Sequence, residues 1–313
     1  MTGRTVDNPF AVPKLTDPKQ PLCPWRHPEH RDLYVDLDHT QEAYEEFTQQ
    51  AATLGSPGED GKLLLVTGDT GCGKTAVANR CLGWLEKTLA DRELKVEIVD
   101  ARPALLGQTL SMTERLTTVC DYVVGQLEGE DFLVPADLNR FVENRAFPAR
   151  VYPHLGRSLV RGIVLVILLP STELAQEVIR YGGWVSKRTL FVVESAHFED
   201  KHLKVIDNEL KDYGRLVRIH VGKLKEGDFA RFANDRLTRH AQAGEYPLMS
   251  EETLHSLEGR LLSVSQLQIV LHGTYELLKT KPLEYGPTTL VTEQHISEFQ
   301  QREARREPPD GRE

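Results

Sequence analysis

The chain has 313 residues, 40% of them apolar and 27% charged, which is enough apolar material for one large α/β domain with a smaller appendage, or for two modest domains. Its net charge of −9 produces a field that repels polyanions, which argues against nucleic acid as a main ligand while leaving room for a local basic stripe. Met1 to Ala11 lack the basic start and apolar run of a signal peptide, and the longest unbroken apolar run, Ile163 to Leu169, has seven residues. That is far short of a bilayer span, so a cytoplasmic protein with no membrane partner is expected.

Four cysteines, Cys23, Cys72, Cys81 and Cys120, lie far apart without a CxxC or Cys/His ligand pattern. Reduced thiols explain them better than disulfides or zinc.

Residues 1–37 carry Pro13, Pro18, Pro21, Pro24 and Pro28 with little periodicity, and are expected to form an extended arm that wraps the body or a neighbour. Thr40 to Ala52 places Ala43, Tyr44, Phe47 and Ala51 on one helical face, and the polar turn Gly55–Gly61 ends it. The order then becomes that of a parallel sheet. Strands are expected at Leu63–Thr67, Lys95–Val99, Ile163–Leu169, Thr189–Val193 and Leu216–Val221. The unbroken apolar character of the third implies cover on both faces. Between the second and third lies a long helical stretch from about Ser111 to Arg161, broken near Gly129–Pro135, and a helix is expected at Thr172–Arg180.

After Gly222 the strands are expected to stop. Phe229, Phe232, Ala233 and Leu237 mark one helix; Ser250 caps a second with Leu254 and Leu257; Leu267, Val270, Leu271, Thr274 and Leu278 mark a third; Thr292 caps a last short one with Ile296 and Phe299. The expected fold class is α/β: a three-layer P-loop core with a five-stranded, mostly parallel sheet, followed by a small all-helical lid. The expected divisions are an arm at 1–37, a core at 38–222, a lid at 223–300 and a disordered charged tail at 301–313.

The specific motif is Gly68-Asp69-Thr70-Gly71-Cys72-Gly73-Lys74-Thr75, followed by Ala76. It matches G-x-x-x-x-G-K-[ST] in the required setting, a short apolar strand before and an amphipathic helix after. Gly71 and Gly73 let the backbone curl so that successive N–H groups face a phosphate, and the next helix adds its positive N-terminal end. Lys74 is expected to reach the β- and γ-phosphates and the Thr75 hydroxyl to hold Mg²⁺, with ATP as the nucleotide. Asp69 reads as turn chemistry. Asp100, ending the second strand, reads as a loop cap or as a catalytic acid.

With Asn8-Pro9-Phe10, the loop, five strands and four C-terminal helices, the chain resembles an AAA+ or STAND-type ATPase module over about residues 8–300. Only the loop is a specific motif. The resemblance implies an acidic Asp-Glu pair at the end of the third strand, where this sequence has Pro170-Ser171, and so implies weak hydrolysis. It places the fourth strand between the first and third, so that Glu194 faces the γ-phosphate as the candidate catalytic carboxylate. It implies an arginine finger, for which Arg215 is the candidate, and a second sensing arginine at the start of the third lid helix, where Ser263-Val264-Ser265-Gln266 offers none. The implied activity is that of an ATP-binding switch with slow or partner-dependent hydrolysis, acting on a protein partner or on its own assembly in bacterial signalling or defence. A non-hydrolysing nucleotide scaffold and a P-loop small-molecule kinase stand as alternatives, and the acidic charge counts against a third, a DNA-associated AAA+ loader.

Overall fold

The computed structural model describes residues 8–54, 61–211, 214–240, 246–258, 263–281 and 285–306. Most of the expected polar turn at 55–61 and the end of the expected tail lie outside them. Among the described residues no helix is long and apolar enough to cross a membrane. The chain forms two compact units, one of residues 42–69 and 77–221, the other of residues 1–41, 70–76 and 222–313.

The first unit is built on five strands, β1 (Lys62–Thr67), β2 (Lys95–Asp100), β3 (Ile163–Leu168), β4 (Thr189–Ser195) and β5 (Leu216–His220), in the order β2-β3-β4-β1-β5. Every adjacent pair is parallel. Parallel neighbours need crossover connections, and the sequence supplies helices for each. α1 (Asp38–Gln50) precedes the sheet and α2 (Lys74–Ala90) follows β1. They meet through Phe47 edge-on to Trp84 at 5.8 Å and Arg80 over the Tyr44 ring at 4.2 Å.

The long stretch between β2 and β3 resolves into α3 (Met112–Leu127), α4 (Pro135–Glu143) and α5 (Pro148–Ser158). A single antiparallel bridge, Leu133 to Leu159, closes it. α6 (Ala175–Trp184) and α7 (Asp200–Leu210) follow β3 and β4. The largest core joins Leu63, Leu65, Leu165, Ile167, Phe191 and Val193 of the sheet to α3, α5, α6 and α7.

α6 starts three residues later than the expected Thr172. The Thr172 hydroxyl accepts from the Leu174 N–H at 3.1 Å and donates to Glu177 at 2.7 Å. This local turn competes with helix and delays its start.

The second unit contains α8 (Asp228–His240), α9 (Glu251–Glu258), α10 (Val264–Lys279) and α11 (Glu293–Arg306). Two expectations are corrected here. Strands do not stop after Gly222: β6 (Leu248–Met249) and β7 (Leu290–Val291) pair in parallel, each too short for an alternating pattern to register. The last helix is not short, because Glu298 pairs with Lys281 at 2.9 Å and with Arg302 at 3.0 Å and carries the helix into the expected tail.

The proline-rich segment is not simply extended either. Pro28–Leu33 is a 3₁₀ turn whose buried His30 accepts from the Cys23 N–H through Nδ1 at 2.9 Å, with Nε2 2.7 Å from the Pro13 carbonyl. Phe10 is fully buried in the helical core, its ring 5.1 Å from that of Tyr275. Asn8 Nδ2 donates to His272 O and Glu276 Oε1, both at 2.9 Å. Burying a phenylalanine contributes about 2–3 kcal/mol against about 1 kcal/mol net for a hydrogen bond, so Phe10 anchors the segment and Asn8 sets its register.

Candidate nucleotide site

The glycine loop leaves the C-terminal end of β1, whose burial is almost complete from Leu63 onward. Gly68, Gly71 and Gly73 have φ of 143°, 79° and 102°, conformations that side-chain-bearing residues rarely adopt. Lys74 is the first residue of α2, so the loop feeds directly into a helix N-terminus. A side-chain carbon added at Gly73 would meet nothing within 4 Å. Cys72 is buried, Asp69 and Thr70 are exposed, and Thr75 and Ala76 begin the helix.

Within the second unit the loop is gripped from two sides. The Tyr34 hydroxyl donates to Ala76 O at 2.9 Å. The Ser265 N–H donates to Gly71 O at 3.0 Å. The contact is close enough that a side-chain carbon at Gly71 would lie 2.6 Å from Ser263 Oγ. Ser263 caps α10 in a reciprocal box with Gln266.

In the first unit, Glu194 stands opposite Val66 on the neighbouring strand, two residues before Gly68, and is partly exposed. Its carbonyl accepts from the Thr172 N–H at 3.1 Å. The next three residues are held by Glu173, which accepts from Ser195 Oγ at 2.8 Å and from the N–H groups of Ala196 and His197 at 2.9 and 2.8 Å. Below them Arg115 Nε pairs with the fully buried Glu177 at 2.9 Å, and Arg115 Nη2 donates to Ser171 O at 3.0 Å. A cavity of about 440 Å³ borders Thr67, Gly68 and Asp69 and is lined further by Glu46, Arg218 and His220.

No protein-family model and no curated protein sequence matches the chain. Its structure is similar to that of the ORC1 protein of Aeropyrum pernix in complex with DNA, at 16% identity and a TM-score of 0.54, over 87% of this chain and 67% of that one. It is also similar to that of Cdc6p from Pyrobaculum aerophilum, at 15% identity and a TM-score of 0.50, over 80% of this chain and 65% of that one. Together with the strand order and the loop, the likeness decides the architecture. The chain has the AAA+ P-loop ATPase fold.

Within the AAA+ fold, the residues after β3 are Leu169-Pro170-Ser171-Thr172-Glu173. Glu173 is the first acidic residue after β3, three positions past Pro170. Its two oxygens are already engaged in holding the turn after Glu194, and an acidic residue just past an apolar strand was the only sequence signal for it. Asp100 accepts from Arg102 Nε and Nη2, both at 2.7 Å, the forked geometry of a structural pair. Arg215 enters β5, and its carbonyl accepts from the Leu63 N–H at 2.8 Å. It therefore lies at the end of the sheet opposite Thr67, Gly68 and Asp69. At the start of α10, where AAA+ resemblance implied an arginine, the Ser265 backbone meets the loop.

Proposed function

We propose that the chain is an ATP-binding regulatory switch of the AAA+/STAND type, with slow or partner-dependent hydrolysis, controlling a partner protein or its own assembly in a signalling or defence system. The observation that carries this reading is the loop from Gly68 to Thr75, with three glycines at positive φ leading straight into α2. The open space over Gly73 fits a phosphate oxygen. Inward N–H groups and the helix end would bind it, Lys74 would add a point charge, and Thr75 would supply a hydroxyl to Mg²⁺. The metal's contribution when bound is to neutralise charge on the phosphates.

The switch reading is supported by the continuity of the second unit. Gly71 holds α10 through Ser265, and α10 holds Asn8 and Phe10. A γ-phosphate that changes the loop gives differential contacts, and these bias α10 and the N-terminal segment together. Glu194, at the end of β4, would be the carboxylate that orients water. Arg215, turned to the far end of its own sheet, would act only on a second copy. Calorimetry with ATP and Mg²⁺, alongside phosphate release, tests the reading; failure to bind ATP would overturn it. Pro170-Ser171 favours a second reading, a scaffold that binds ATP without hydrolysing it, and no phosphate release from a protein that binds ATP would select that one.

A further inference from the structure

α5 is amphipathic in an unusual sense for an acidic protein. Val151, Tyr152 and Leu155 are fully buried in the core. Arg150, His154 and Arg157, spaced three or four residues apart, share the opposite face. Two further cations lie near the C-terminal end of α5. Arg161 follows the helix, and the Lys187 backbone packs on it so closely that a side-chain carbon at Gly156 would lie 1.7 Å from the Lys187 carbonyl oxygen. Arg150, Arg157, Arg161 and Lys187 are all exposed.

Neighbouring cations have structural roles. Arg140 pairs with Asp137 at 3.3 Å and Arg145 with Asp121 at 2.9 Å. Arg188 donates to the carbonyls of Gly156, Leu159 and Val160 at 2.6, 2.9 and 2.9 Å and closes the end of α5. Arg150, Arg157, Arg161 and Lys187 have no carboxylate partner among the described residues. Arg150 bonds Asn144 Oδ1 at 3.2 Å and lies over the Phe147 ring at 4.9 Å, so its charge is uncompensated. Burial, and after it the charges of Arg157 and Arg140, hold His154 below the usual imidazole value, with Asp137 acting the other way.

We propose that these exposed cations on and beside α5, Arg150, Arg157, Arg161 and Lys187, bind the phosphate backbone of a nucleic acid without reading its sequence. Three of the four are arginines, whose planar forks match phosphate oxygens. The helical rise sets Arg150 and Arg157 about 10 Å apart along the axis, close to three 3.4 Å steps of one strand. The exposed aromatic in the patch, Phe147, has its face covered by Arg150 instead of being free to enter a lipid surface. The net charge of −9 lowers affinity at a distance but is screened beyond about 8–10 Å, leaving the local patch to dominate at contact. The face lies by the N-terminal ends of β3 and β4, the opposite end of the sheet from Thr67 and Gly68, so occupying it does not require the glycine loop.

The test is fluorescence anisotropy of a labelled duplex of arbitrary sequence, titrated with the whole chain between about 50 and 200 mM salt. Four phosphate contacts predict a fall in affinity of about 10²-fold over that range. Arg157→Glu with Arg161→Glu should weaken low-salt binding at least tenfold and roughly halve the salt slope, while Arg157→Lys with Arg161→Lys keeps the slope. An unchanged melting temperature certifies that the charge-reversed protein is folded. No duplex binding at low salt, or equal binding by the folded charge-reversed protein, would overturn the proposal. So would equal or tighter binding of poly-glutamate or of phosphatidylserine vesicles.

Discussion

The N–H of Ser265, in the first turn of α10, donates to the carbonyl of Gly71 in the middle of the glycine loop at 3.0 Å. A helix contributed by residues nearly two hundred positions away thus holds the outward face of the loop. This ties loop shape to helix position.

That contact makes Gly71 intolerant of any side chain. Its φ of 79° and the 2.6 Å approach to Ser263 Oγ combine strain with a clash. Gly71→Ala should cost about 2–3 kcal/mol in urea unfolding. Ser263→Gly in the same protein should return the steric share and leave the strain of about 1 kcal/mol. Additive losses in the double-mutant cycle would refute the coupling.

Lys74→Ala should remove ATP binding in calorimetry, because a charge and its hydrogen bonds to two phosphates disappear together. In the unmutated protein, ATP at about one hundred times its dissociation constant should stabilise the fold by roughly 2.7 kcal/mol. GTP should do less. A melting shift with GTP equal to that with ATP would refute the choice of adenine.

Steady-state phosphate release should be slow, below ~1 s⁻¹, since Pro170-Ser171 provides no base where AAA+ resemblance implies one, and general-base effects are worth about 10²–10⁴-fold. Glu194→Gln should lower it further with ATP binding intact. Glu173→Gln should also lower turnover, by releasing the turn at Ser195–His197 that follows Glu194. Release that ignores Glu194 would mean that the acid has been misassigned.

Arg215→Ala should leave nucleotide binding by the single chain intact and weaken any ATP-dependent assembly seen by light scattering. Its place beside Leu63, away from Thr67 and Gly68, is the reason. A chain that stays monomeric with every nucleotide removes the finger role.

The Arg115–Glu177 pair should prove structural. Glu177 is fully buried and Arg115 partly so, and removing one member of a buried pair costs up to about 3–5 kcal/mol. Glu177→Ala should lower stability by that order while the folded fraction still binds ATP, measured by urea unfolding and calorimetry. Arg115→Met with Glu177→Leu should recover most of the loss.

What the amino-acid order determined by itself was local and contiguous. Gly68 to Thr75 is one uninterrupted segment, so its loop chemistry is legible without a partner, and the apolar runs that became β1, β3 and β4 reflect burial on both faces. Capping at Ser250 is equally local. Only tertiary structure decided what depended on residues far apart or on segments too short to carry a period. The seating of Phe10 against Tyr275, the three bonds from Glu173 to the turn after Glu194, and the Ser265–Gly71 contact each join separate stretches of chain, which no spacing in a single stretch encodes. β6 and β7, two residues each, offer no alternation to read. The basic face of α5 was hidden for a related reason: net charge sums over the whole chain, whereas a surface is made only when folding turns Val151, Tyr152 and Leu155 inward and leaves Arg150 and Arg157 outside.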